Sequence, residues 1–241
     1  MCGGKMLKLL QLEVLKLRRT LVWPAVLGLP LVPAAVNLGW FTATGFRGRD
    51  WAEPLGNAQV TWFLLLEPLV LGLLAAQLTG LEGYSGGWRL IFAAPRPRHE
   101  GLLPLGLLLL GLSLLMMVIM GGMTALSSAL LPLSGTPNWT QFACDLGRGW
   151  LASLGLLGLS MWAALRFSNF LVPLGLGAAE ILLAFAGLSQ PLLSPWWPWS
   201  LPILAAQPPD GGSALRLLLI SVGLGVAFAL LTVREAERRE V

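Results

Sequence analysis

The sequence predicts an all-α integral membrane protein with six transmembrane helices, because of its composition and the position of its charges. Of the 241 residues, 56% are hydrophobic and only 12% are charged, and the mean hydropathy is +0.74. Soluble domains carry about 25% charged residues. Long uncharged runs alternate here with short polar segments, and about 20 apolar residues suffice to cross the hydrocarbon core as a helix. Residues 1–241 are therefore expected to form a single membrane domain.

An amphipathic segment, residues 5–19, precedes the first apolar run. On a helical wheel Met6, Leu10 and Leu17 share one face, and the lysines gather on the opposite side. This pattern is typical of a helix that lies in the membrane interface with its cations among lipid headgroups. The alternative is an ordinary positive flank of the first span. We interpret the segment as an interfacial helix.

Six apolar runs are long enough to cross the membrane. They comprise residues 21–43, 60–80, 101–120, 147–165, 170–188 and 215–233. The first contains 23 residues without a charge, which exceeds the apolar core of a signal peptide. Its three prolines are expected to kink the helix or to loosen its start.

Two further stretches do not fit a simple crossing. The run that begins at residue 101 stays uncharged as far as Cys144, so its helix is expected to break near Gly121 and Gly122 or to leave the membrane by Pro132. Residues 189–213 are rich in proline and tryptophan and cannot form one continuous helix. We expect this segment to be a re-entrant or interfacial loop on the outer side.

The distribution of lysine and arginine predicts the orientation of the chain. With both termini inside, 12 of the 16 basic residues fall on the inner side and 4 on the outer side. Positive residues are enriched in cytoplasmic loops. Both termini and the polar segment 81–100 are therefore expected to be cytoplasmic. Because the basic residues lie at the ends of apolar runs and form no single patch, nucleic-acid binding is not expected.

The 81–100 segment is a short, charged island between two long apolar runs. Residues 82–92 could form a short helix along the membrane, with Trp88 in the interface and Arg89 turned towards a partner or the headgroups. Pro95 and Pro97 would end that helix and direct the chain into the third span. The alternative is a plain positive loop whose arginines only determine topology.

The pattern of the 81–100 segment resembles the ABC type-2 exporter permeases. Its residues that carry the resemblance are Glu82, Gly87, Trp88, Arg89, Pro95 and Arg98. Within that superfamily the lantibiotic-immunity permeases look nearest, because residues 13–20 resemble their lead-in and residues 198–202 resemble their last outer loop. The chain departs from the pattern at residues 101–106, which contain no lysine where such permeases often have one.

The resemblance implies a separate ATP-binding subunit as partner, with ATP and Mg²⁺ bound there and no cofactor in this chain. It also implies a second permease, either the same or a related chain, and it assigns coupling to the partner to the six residues named above. The residues themselves agree on one point. Lys5, Lys8 and Lys16 are the only lysines, and none follows the glycine-rich loop that a Walker A motif requires.

Catalytic and metal-binding residues are scarce. One histidine and two cysteines cannot form the usual zinc site, so neither a catalytic centre nor a metal site is expected. The preferred hypothesis is an ATP-driven exporter of an antimicrobial peptide or another amphipathic compound. A membrane-embedded enzyme and a non-transporting scaffold or sensor are the alternatives.

Two sets of residues are candidates for a substrate path. Glu67 and Glu180 fall inside predicted spans, where a charged and unpaired carboxylate costs a few kcal/mol. They could line a path for a cationic peptide or form a latch, or they could be hydrogen-bonded structural contacts. Trp196, Trp197 and Trp199 could contact an amphipathic substrate, although such tryptophans more often anchor a protein at headgroup depth.

Overall fold

The computed structural model describes residues 11, 13–44, 50–84, 99–167, 169–207 and 214–238. Within these ranges the chain is helical, and its β-type pairing is limited to an isolated bridge between Asp50 and Ser134. The helices are α1 (Val22–Ala43), α2 (Ala52–Val60, a π-helical segment Thr61–Leu66, and Glu67–Tyr84), α3 (His99–Ala129), α4 (Trp139–Ala152), α5 (Leu154–Arg166), α6 (Leu171–Leu188), α7 (Leu201–Ala206) and α8 (Ala214–Arg238).

Five helices in the described part of the chain are long and apolar enough to cross a membrane. They are Val22–Ala43, Ala52–Leu81, Gly101–Ala129, Leu171–Leu188 and Ala214–Glu237. The remaining predicted span, residues 147–165, falls on α4 and α5, which meet at Ser153. Neither of these two helices reaches 18 residues alone. Helix length therefore supports five crossings, and a sixth depends on α4 and α5 crossing together.

The N-terminal prolines tighten α1 without interrupting it. Leu29–Leu31, which contains Pro30, forms a 3₁₀ turn between two α-helical parts, and Pro33 follows in the next turn. Before α1, Leu17–Arg19 forms a 3₁₀ turn in which Leu17 is buried. Residues 5–10 and 12 of the predicted interfacial helix lie outside the described residues, and Gln11 and residues 13–16 are helical.

Helix α2 begins at Ala52, eight residues before the predicted span 60–80. The polar side chains of this first part have partners on other segments. The Nδ2 of Asn37 donates to the carbonyl of Pro54 at 2.7 Å, and the Nδ2 of Asn57 donates to the Oδ1 of Asn37 at 3.2 Å. Because tertiary contacts satisfy these groups, polar residues are accommodated within the helix.

Helix α3 passes straight through Gly121 and Gly122 and ends at Ala129, so a break at those glycines is not observed. The helix ends before Pro132, and the exit of the chain from the membrane by Pro132 stays a prediction. Helix α4 then begins at Trp139, where the Oδ1 of its N-cap Asn138 accepts a hydrogen bond from the backbone N–H of Gln141 at 3.0 Å.

The segment after α6 turns back onto the bundle. It consists of two 3₁₀ turns, Ser194–Trp196 and Pro198–Ser200, followed by α7. Ser200 and Leu201 are fully buried, and α7 packs against α4. The prolines prevent a continuous helix here, and the short turns between them fit the apolar side chains into the interior.

Two close helix crossings organise the bundle: α2 with α6, and α5 with α8. At the first, a Cβ on Gly72 would overlap the backbone carbonyl of Pro173, and one on Gly177 would meet the backbone of Pro68. At the second, Gly158 and Gly225 face each other's helix in the same way. Small residues let helix backbones approach closely, as is common between helices in membranes.

Candidate functional site: the buried Glu67 and Glu180 carboxyl groups

Glu67 is placed in the interior by an irregular part of α2. It directly follows the π-helical segment Thr61–Leu66, in which Phe63 packs with its ring against Gly149 of α4. A π-helical turn inserts an extra residue per turn and changes which side chains face the neighbouring helices; such turns are frequent at functional sites. The Glu67 side chain is only 2% exposed.

Glu180 reaches the same region from α6. It lies one turn after Gly177, where α6 comes closest to Pro68 and Leu69 of α2. The Glu180 side chain has no exposed surface, and its carboxyl group is close enough to Glu67 to interact with it electrostatically. Two acidic side chains from two different helices are thus brought together inside the bundle.

Ser153 completes the cluster at the junction between α4 and α5. This side chain is fully buried, and it lies beside the Glu67 carboxyl group. It also donates to the carbonyl of Trp150 at 2.7 Å. Sequence reasoning missed Ser153, since nothing local distinguishes it from the other serines of the chain.

The helix break at Ser153 is stabilised from α8. The Ser221 hydroxyl donates to the carbonyl of Ala152, and it accepts a hydrogen bond from the backbone N–H of Gly155 at 3.4 Å. A broken helix is tolerated at membrane depth when neighbouring side chains satisfy the freed backbone groups. Ser221 does so here, which keeps Ser153 beside Glu67.

The two carboxyl groups are incompletely satisfied. Among the described residues, the Oε2 of Glu67 and both carboxyl oxygens of Glu180 have no hydrogen-bond partner. The ion pairs in that part of the chain lie elsewhere, between Lys16 and Glu13, Arg148 and Asp145, and Arg166 and Glu235. Buried polar groups are normally hydrogen-bonded, so unsatisfied oxygens at one helix crossing mark it as a candidate functional site.

The three predicted tryptophans have different surroundings. Trp197 donates through Nε1 to the carbonyl of Leu183 at 2.7 Å and packs its ring on Gly187, so it fastens the segment after α6 back onto that helix. Trp199 lies 5.2 Å from Trp197, measured between ring centroids. Trp196 is 62% exposed, with the Arg216 guanidinium 5.3 Å from its ring centre. Trp197 is therefore a structural anchor, and a role in a substrate path remains a prediction.

The coupling prediction falls largely outside the described residues. Glu82 belongs to the last turns of α2, whose backbone is described as far as Tyr84. Gly87, Trp88, Arg89, Pro95 and Arg98 lie outside the described residues. The chain is described again from His99, where α3 begins. The 81–100 segment thus connects the ends of two long helices, and its coupling role stays a prediction.

The bundle of long apolar helices agrees with the family to which most of the chain matches. Residues 9–186, about three quarters of the chain, match the family model described as ABC-2 family transporter protein. The chain belongs to this family. An ABC-2 family transporter protein is the permease, or membrane, part of an ABC transporter, and membership implies association with an ABC ATPase. The protein is accordingly a multi-pass membrane protein, which in bacteria resides in the plasma membrane.

No significant match to this ABC-2 family protein was found among curated proteins or among solved structures. The family match extends from residue 9 to residue 186 and so covers α1 to α5 and nearly all of α6. Both Glu67 and Glu180 lie within it. The candidate site therefore belongs to the part of the chain that the family describes.

Proposed function

We propose that this chain is the permease subunit of an ATP-driven exporter with six membrane crossings and cytoplasmic termini. The match of residues 9–186 to the ABC-2 family carries the proposal. Helices α4 and α5 together form the fourth crossing. From Trp139 to Arg166 they would extend about 40 Å at 1.5 Å per residue, which exceeds the hydrocarbon core of about 30 Å.

The 81–100 segment couples this subunit to its ATPase in the proposed mechanism. ATP and Mg²⁺ bind to the partner, no bond is made or broken in this chain, and closure of the partner moves the segment. Because α2 and α3 end on either side of it, such a movement acts directly on two membrane helices. Trp88 and Arg89 supply the contacts, and Glu82, Gly87, Pro95 and Arg98 shape the segment.

The two glycine crossings support a movement between units that each stay intact. In each pair the backbones approach too closely for a side chain to pass between them, so α2 with α6 and α5 with α8 are each expected to move as one body. Glu67 and Ser153 lie where the first pair meets α4 and α5. We propose that alternating access changes the packing at this boundary.

The proposed cargo is an amphipathic compound, and an antimicrobial peptide is the preferred class. A groove of about 570 Å³ between α3, α5 and α8 supports this choice, because nearly all of its lining side chains are apolar. The groove suits the apolar part of a cargo that leaves the lipid sideways. The resemblance of residues 13–20 and 198–202 to lantibiotic-immunity permeases favours the same class, with a second permease completing the transporter.

The test is co-purification of the chain with its ABC ATPase partner, followed by measurement of ATP hydrolysis in lipid nanodiscs. Replacing Trp88 and Arg89 together by alanine should abolish stimulation of the ATPase by the permease. Trp196→Ala with Arg216→Ala is the matched control, because it removes the same two residue types from the outer side. Full assembly and full stimulation in the Trp88 and Arg89 double variant would refute the coupling role.

A further inference from the structure

A polar pocket lies at the end of the bundle that the arginine distribution assigns to the outer side. Its volume is about 440 Å³, and it is enclosed by the start of α2, the turn before α4, the first turns of α4 and the end of α7. The turn is held in place by the Nε1 of Trp51, which donates to the carbonyl of Gly135 at 3.2 Å. Gly135 has a φ of +79°, which glycine adopts without strain.

Hydrogen bonds between the walls determine which atoms face the pocket. The Nε2 of Gln207 donates to the carbonyl of Gly56 at 2.8 Å and to the Oε1 of Gln59 at 3.0 Å, which uses both of its hydrogens. The Nε2 of Gln141 donates to the carboxylate of Asp145 at 2.8 Å. Since a backbone carbonyl and a carboxylate only accept, these amide orientations follow from their partners. The amide oxygens of Gln141 and Gln207 remain available as acceptors.

The pocket also has one donor. Gln59 lines it, and its amide nitrogen donates to no group in the described part of the chain. A ligand that brings a carbonyl oxygen into the pocket would satisfy it.

The charge and the aromatic wall favour a cation. Asp50 and Asp145 line the pocket, and Asp145 is paired with Arg148, whereas Asp50 forms no ion pair with a described cation. The Trp51 ring lies edge-on to Trp139 at 5.5 Å between centroids, which adds an indole wall. Ammonium and guanidinium groups bind to carboxylates, to amide oxygens and to indole faces.

We propose that this pocket binds a basic peptide segment. A lysine or arginine side chain of the ligand contacts Asp50 and the amide oxygens of Gln141 and Gln207, and a backbone carbonyl of the ligand accepts a hydrogen bond from Gln59. This assignment rests on the proposed function for its outer location, and it deepens that function by naming the group of the cargo that is recognised. The groove between α3, α5 and α8 would take the apolar side chains.

The experiment measures peptide binding to the purified chain in phosphatidylcholine nanodiscs with EDTA present. The probe is a fluorescein-labelled peptide amide of alternating lysine and leucine, followed by fluorescence anisotropy. Asp50→Asn should weaken binding at least about tenfold, because it removes the negative charge that pairs with the cation, and Gln59→Leu roughly threefold to tenfold, because it removes a hydrogen-bonding group of the pocket. Asp50→Glu should restore most of the affinity.

Matched controls separate the pocket from general charge effects. Glu53→Gln removes the same charge close by on α2, outside the lining, and should leave affinity unchanged within twofold. Acetylating the lysines of the probe should abolish binding. Equal affinity for wild type, Asp50→Asn and Gln59→Leu, in proteins with unchanged thermal unfolding, would overturn the proposal, as would equal binding of the acetylated probe.

Failure of this site and failure of the proposed transport function can be told apart. Binding that depends on Asp50 and Gln59, in a chain that neither assembles with nor stimulates an ATPase, would support this site and refute the exporter. A stimulated ATPase with no pocket-dependent peptide binding would support the exporter and refute this site.

Discussion

The two close helix crossings of this protein are built alike, but they differ in whether their buried polar groups have hydrogen-bond partners. Both α2 with α6 and α5 with α8 use glycines to bring their backbones together. At the second crossing the Ser221 hydroxyl both donates and accepts, so the carbonyl of Ala152 and the N–H of Gly155 are paired. At the first, three carboxyl oxygens of Glu67 and Glu180 lack partners in the described part of the chain. The contrast distinguishes a crossing whose Ser221 contacts are paired from one that retains unsatisfied carboxyl oxygens, and the second is therefore the candidate functional site.

The largest expected effect comes from filling the α2–α6 crossing. Gly177→Leu would force its side chain into the backbone of Pro68 and Leu69, and we expect a loss of about 3 kcal/mol or more in the free energy of unfolding. Gly175→Leu, on the same helix but with nothing nearby, should be nearly neutral. Thermal unfolding in detergent compares the two variants, and equal midpoints would contradict the close approach described here.

Ser221→Ala should have the next largest effect, at the α5–α8 crossing. It leaves the carbonyl of Ala152 and the N–H of Gly155 without their side-chain partner, which is expected to cost about 1–3 kcal/mol. Ser189→Ala is the control, because that exposed hydroxyl only bonds to its own helix. If both variants unfold at the same temperature, Ser221 does not support the junction.

These two crossings also show which features a linear sequence reveals. The spans at residues 21–43 and 170–188 coincide closely with α1 and α6, because an apolar run of about 20 residues with at most one charge is sufficient to identify them. The predicted start of the second span, at residue 60, was wrong, because Asn57 and Gln59 resemble loop residues locally and α2 begins at Ala52. Their partners Asn37 and Gln207 lie 20 and 148 residues away in the chain, beyond any local pattern.

The candidate site was also predictable only in part, because some of its features are local in sequence and others depend on distant contacts. Glu67 and Glu180 are conspicuous as acidic residues within apolar runs, and burial of both could be expected from their cost in lipid. Their meeting depends on which helices pair, and that is determined by Gly72 and Gly177, two of the 29 glycines in the chain. The contribution of Ser153 depends on the break between α4 and α5, which Ser221 supports from 68 residues away in sequence.

Replacing Glu67 and Glu180 tests whether the unsatisfied groups at the α2–α6 crossing affect transport or only stability. Glu67→Gln and Glu180→Gln keep the shape of the side chain, so the free energy of unfolding should change by less than about 1 kcal/mol, as for volume-conserving core changes. If the pair serves transport, cargo export should fall while protein level stays constant. Unchanged transport at unchanged protein level in both variants would end the functional assignment.

The smallest expected effect concerns Trp197, which anchors the segment after α6 to that helix. Trp197→Phe keeps most of the ring on Gly187 but loses the hydrogen bond to the carbonyl of Leu183, which is expected to cost about 0.5–1.5 kcal/mol. Trp196→Phe removes an indole that is largely exposed and should change the unfolding midpoint less. A larger loss in the Trp196 variant would reverse the roles assigned to the two side chains. It would also indicate that the segment after α6 is attached mainly through the contact between Trp196 and Arg216 of α8, and therefore to the α5–α8 pair.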